Sequence, residues 1–159
     1  MFIHKVFAMM KKIKKIVERY PYEDLGFPVL LKDVLIVKDR DYEYALINHR
    51  SVMNSAAFGL VMKHEALDGQ RLKFLRRFIN YSLDDLSKLT GIAKTTLHAW
   101  EKESGDSLEI PDEKLKLVFL KVRDVLAKEI TDQLDGAIIK DIIKNPTISP
   151  VEIAGGNIR

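Results

Sequence analysis

The sequence predicts an α+β protein, with a small N-terminal antiparallel β unit and a helix followed by an all-α unit. Two observations carry this. Up to Ile47 the apolar residues alternate or run in short β-branched groups, and from Val52 onward they recur at helical spacing. The breakers change with them: Leu25-Gly26-Phe27-Pro28 and Lys38-Asp39-Arg40-Asp41 bound short segments, whereas Asp68-Gly69, Thr90-Gly91 and Pro111-Asp112 punctuate longer ones. The expected division is residues 1–66 for the β unit, 67–130 for the helical domain and 131–159 for a last helix and a mobile tail.

Lys11 to Tyr20 fits two readings. Ile13, Ile16, Val17 and Tyr20 match a helix face, yet Pro21 and the flanking tyrosines suit a strand equally well. Val29 to Val37 reads as a strand broken near Lys32-Asp33, and Tyr42 to Ile47 as a half-buried strand. A helix follows from about Asn48 to His64, where Gly59 costs it roughly 1 kcal/mol against Ala. Gly69 to Ile79 is a helix burying Leu72 and Leu75. Ser82-Leu83-Asp84-Asp85 forms a capping box for the next, and its two carboxylates suit the positive end of the helix dipole. Leu86 and Leu89 point inward, Gly91 closes that helix in the left-handed conformation, and Ile92 anchors the turn. Ala93 to Lys102 buries Leu97 and Trp100. Pro111-Asp112-Glu113 starts a fourth helix, and Ile138, Ile139, Ile142 and Ile143 fit a short last one.

Composition narrows the function classes. The 159 residues are 47% apolar, contain no cysteine and carry a formal charge of +3. The absence of thiols excludes disulfides, cysteine-bound zinc and thiol catalysis. The mild charge suits a protein that grips a short nucleic-acid site with local basic clusters. No apolar run approaches the roughly 20 residues of a membrane span. The first residues make a poor signal peptide, with Met9 and Met10 as alternative starts, so the expected location is cytoplasmic. There is no Gly-rich phosphate loop, metal-ligand cluster or nucleophile–base spacing, so neither an enzyme nor a cofactor is expected.

Leu72, Leu75, the Ser82 cap, Leu86, Leu89, the Gly91-Ile92 turn, Leu97 and the Trp100-Glu101 pair, with a loop and Pro111 after them, resemble the Cro/C1-type (Xre) helix-turn-helix regulators over roughly residues 67–125. The resemblance implies a lambda-repressor-like fold whose third helix reads base edges in the major groove of double-stranded DNA. The matching positions are Lys94, Thr95, Thr96 and His98, all able to donate to base acceptors. Arg71, Lys73, Arg76, Arg77, Ser82 and Lys102 are the expected phosphate contacts. The sequence departs from the pattern at Leu83, commonly Gln in that family, at Ala93 and at Ala99. Fewer base contacts are therefore expected, with more reliance on DNA shape.

The order of a β unit, a helix and then this module is similar to antitoxins of the MqsA/YgiT type, with Gly26-Phe27-Pro28 and Val29 to Val37 as the matching portion. Those carry zinc-binding cysteines. Here His49, His64 and Glu65 are too sparse to replace them, so no metal is expected. The resemblance implies a homodimeric repressor with a toxin partner. Leu115, Val118, Phe119, Val122, Ile138 and Ile142 are the candidate dimer surface, or else they cover the chain's own core. A solitary regulator and a protein-interaction module with a vestigial helix-turn-helix are the alternatives.

Overall fold

The computed structural model describes residues 13–63, 67–103, 107–135 and 151–153. It is an α+β structure. β1 (Ile13–Tyr22), β2 (Val29–Asp39) and β3 (Tyr42–Ala45) form an antiparallel sheet with β2 in the middle. Of the two readings of the first segment, the strand holds. Its ladder runs from Ile16 opposite Leu35 to Tyr22 opposite Val29, so β2 satisfies its backbone groups. Pro21, which has no N–H to donate, lies opposite Leu30 on a strand that pairs with β2 alone among the described strands. Gly26, at φ 89°, turns the chain between the two strands, and its N–H donates to the Glu23 carbonyl at 3.0 Å.

The break expected near Asp33 is a local change inside one strand. Asp33 sits at φ 55° and β2 continues through it. The buried positions change phase there, from Val29 and Leu31 to Val34 and Ile36. Val151–Ile153 forms a strand, β4, antiparallel to Val29–Leu31. The expected mobile tail therefore does not include these three residues. β2 is 11 residues long and β3 covers only its second half, from Ile36 to Asp39, which leaves the first half of that edge for a β-branched segment to pair with.

Five helices follow the sheet: α1 (His49–Lys63), α2 (Gly69–Phe78), α3 (Leu83–Thr90), α4 (Lys94–Lys102) and α5 (Asp112–Asp135). Asn48 caps α1, its Oδ1 accepting from the Ser51 amide at 3.1 Å, and Asp68 caps α2 by accepting from the Arg71 amide at 2.8 Å. After α4 the chain returns to the start of α2, where the Leu108 amide donates to the Leu67 carbonyl at 2.7 Å. Acidic Asp112 and Glu113 fill the first turn of α5, the positive end of its dipole. That helix runs to Asp135, past the boundary expected at residue 130. The short helix expected over 136–144 lies outside the described residues.

Sheet and helices share one core. Phe27, Val29, Leu31, Val34 and Ile36 belong to the same buried cluster as Ala56 and Leu60 of α1, Leu72 and Leu75 of α2, Leu86, Leu97 and Val122. Phe27 meets Phe74 of α2 edge-on, ring centroids 5.3 Å apart. Glu129 of α5 accepts from Asn54 of α1 at 2.5 Å and pairs with Arg50. The boundary expected at residue 66 falls between two helices, α1 and α2, and the packing runs straight through it.

Candidate nucleic-acid interface

The site is assembled around the turn between α3 and α4. The Ser82 hydroxyl accepts from the Asp85 amide at 3.1 Å, while Asp85 accepts from the Ser82 amide at 2.9 Å and from its hydroxyl at 2.6 Å. Those bonds, the hydroxyl's first and the amide's second, hold the Asp85 carboxyl below its ordinary pKa. At the other end Gly91 takes φ 71° and its N–H reaches the Ser87 carbonyl at 2.8 Å. Thr90, which is buried, donates to the Leu86 carbonyl at 2.8 Å and accepts from the Ile92 amide at 3.2 Å. Ser87 donates to the Ile92 carbonyl at 2.6 Å. The turn is thus hydrogen-bonded on both sides, which sets the angle at which α4 leaves α3.

The inner face of α4 is held by three contacts. Leu97 is fully buried, and Trp100 packs half-buried against the core. Glu101 is buried and takes both arms of the Arg76 guanidinium, at 2.6 Å from Nε and 2.8 Å from Nη2. Arg76 Nη1 donates to the Tyr81 carbonyl at 2.8 Å. Hydrogen bonding to Glu101 raises the pKa of Arg76 further, against the opposing effect of burial. The third contact is backbone on backbone. A Cβ placed on Gly69 would lie 1.8 Å from the Trp100 carbonyl oxygen and 2.6 Å from that of Glu103. Only glycine allows the start of α2 to sit this close to α4.

With that face fixed, Lys94, Thr95, Thr96, His98, Ala99 and Lys102 are exposed. Lys94 is not free, for its Nζ pairs with Asp84 Oδ2 at 2.9 Å, both side chains more than half exposed. Three of the expected phosphate contacts are engaged within the chain. Arg76 is spent on Glu101 and Tyr81. Arg71 is only 14% exposed, pairs with Asp68 and lies over the Phe27 ring at 5.2 Å. The Ser82 hydroxyl and amide both donate to Asp85. Lys102 remains exposed, and Lys73 and Arg77 line a cleft on the far side of α2.

Of the two readings of the apolar stripe on α5, dimer surface or the chain's own core, the described residues follow the second. Val118, Phe119 and Val122 are 1%, 2% and 0% exposed and belong to the chain's own core, with Leu115 packed against them. The outward apolar residues of α5 are instead Leu117, Leu120 and Ile130. Ile138 and Ile142 lie outside the described residues. Sequence reasoning missed Gly69 as a close-approach glycine, Glu101 as a buried partner and Phe74 as the link to the sheet. For Phe74 the i, i+4 pair with Phe78 was a readable signal. For the other two the partner lies too far along the chain.

Among the described residues no three His, Asp or Glu side chains converge as metal ligands, and no helix is long and apolar enough to cross a membrane. No curated protein and no solved structure matches the chain. Residues 69–122 match the family model described as a helix-turn-helix domain. The segment from α2 to the middle of α5, about a third of the chain, is therefore similar to a helix-turn-helix domain, in keeping with the geometry of its α3–α4 turn.

Proposed function

We propose that the chain is a sequence-specific DNA-binding transcriptional regulator that inserts α4 into the major groove. One observation carries this reading: α4 presents Lys94, Thr95, Thr96 and His98 outward while Leu97, Glu101 and Gly69 clamp its inner side. A short helix with a rigid inner face and donor-bearing outer residues is what base readout requires. The Lys94–Asp84 pair does not oppose it, since an exposed ion pair is worth no more than about 1 kcal/mol and Lys94 can exchange Asp84 for a base acceptor.

The test is selection of sites from random duplexes by the full chain, followed by titration. The selected site should bind with an affinity that falls steeply with salt. Changing Thr95, Thr96 and His98 to Ala one at a time should each cost about 1–3 kcal/mol if the residue contacts a base. Failure to enrich any sequence at low salt would sink the proposal. A module that docks protein would then be left, and the acidic Asp84 and Asp85 at the start of α3 favour it, because anions there repel phosphate.

The narrower form of the reading is a homodimeric repressor acting as an antitoxin. Half-sites would then lie about 34–36 Å apart. The support is the layout described from the sequence, the exposed Leu117 and Leu120 on α5 as a self-association stripe, and the exposed Tyr42 and Tyr44 on β3 as a face for a second protein. Co-expression decides it. A neighbouring reading frame that stops growth alone and is silenced by this chain establishes an antitoxin, and a harmless neighbour leaves a solitary regulator.

A further inference from the structure

Between the turn after β1, the start of α1 and the outer side of α2 lies a cleft of about 280 Å³. That is just below the usual range of ligand-binding pockets, about 300–1,000 Å³. One wall is apolar: Phe74 and Phe78, ring centroids 6.1 Å apart, with Met53 beside them. Lys73 and Arg77, one helical turn apart on α2, also line it. Neither has an ion-pair partner among the described residues.

The other polar groups of the cleft are largely occupied. Gln70 Nε2 reaches the Glu101 carbonyl at 3.4 Å, and Nδ1 of His49 is engaged by the Tyr22 hydroxyl. Burial, and then the charge and hydrogen bonding of the Asp24 carboxylate, raise the Tyr22 phenol above its ordinary pKa, so it stays protonated beside His49. Asp24 is the one carboxylate on the lining. Two cations against one anion leave a single positive charge beside an aromatic wall.

We propose that this cleft binds a small aromatic monocarboxylate, its carboxylate between Lys73 and Arg77 and its ring against Phe74 and Phe78. Charge-assisted bonds from an ammonium and a guanidinium are the strong ones for a carboxylate, and the apolar wall gives the ring a dry surface. A DNA phosphate would use the cations but not the wall. The proposal does not depend on the DNA-binding reading.

Fluorine NMR with the full chain tests it, using 4-fluorobenzoate as probe and neutral 4-fluorobenzamide as its isostere. The benzoate signal should shift and broaden at millimolar concentration, and the benzamide should bind about tenfold or more weaker. Changing both Lys73→Met and Arg77→Met should abolish the benzoate response, while Lys128→Met on α5 leaves it intact. A thermal melt of the double variant like that of the parent shows that the loss is local. No response to the benzoate, equal responses to both probes, or a response surviving in the double variant each overturns the proposal. So does a double variant whose only deficit is in duplex DNA binding.

Discussion

Arg76 and Lys94 carry the same charge within one module and serve opposite purposes. Lys94 sits in water with Asp84, and its pair is exchangeable. Arg76 is 13% exposed against a 6% exposed Glu101, so neither charge can be resolvated without moving a helix. The pair therefore acts as a clamp between α2 and α4. Truncating one partner leaves the other buried and unpaired, at a cost of about 3–5 kcal/mol, whereas replacing both with apolar residues is often neutral. Arg76→Met should accordingly lower the urea midpoint sharply, and Arg76→Met combined with Glu101→Leu should recover most of the loss. A single variant as stable as the parent would falsify the clamp. Charge alone identified Arg76 as a surface cation in the sequence. Its partner is 25 residues away, and nothing local announces it.

The elements of the module owe their boundaries to residues within a few positions of each end. The Ser82–Asp85 box starts α3 and Gly91 ends it in the left-handed region, both as the sequence implied. Asn80 at φ 58° ends the excursion after α2 in the same way. Gly69 differs, because its demand comes from another element. In isolation Ala would strengthen α2 by roughly 1 kcal/mol. Here its Cβ would meet the carbonyl oxygens of Trp100 in α4 and of Glu103 just after it, which are backbone and cannot swing aside. Forced overpacking costs about 1–3 kcal/mol, so the steric effect wins. Gly69→Ala should lower the melting temperature by several degrees, and a rise would mean that α2 can back away freely.

At the scale of the whole molecule the decisive feature is α5. It covers the helix-turn-helix with Val118, Phe119 and Val122, and it reaches α1 through Glu129. Phe27 against Phe74 ties the sheet to α2. A chain with one continuous core should unfold in one step. Trp100 fluorescence, which reports on α4, and far-UV circular dichroism should give superimposable urea transitions. Two separated transitions would mean that the β unit and the helical unit fold independently.

The sequence by itself determined the class of the fold, the order of its elements from β2 to α5 and the presence of a helix-turn-helix. Each of those rests on signals a few residues long: a period of two or of about three and a half, a capping box, a glycine at a helix end. Tertiary structure alone decided that Ile13–Tyr22 is a strand, that Val151–Ile153 pairs with β2, that the apolar stripe of α5 faces inward and that Arg71 and Arg76 are occupied. In most of these cases the partner is many residues away, as Arg76 is from Glu101 and Leu31 from Val151. Residue type states that a strand edge, a cation or an apolar stripe needs a partner. Only the path of the chain brings that partner within reach.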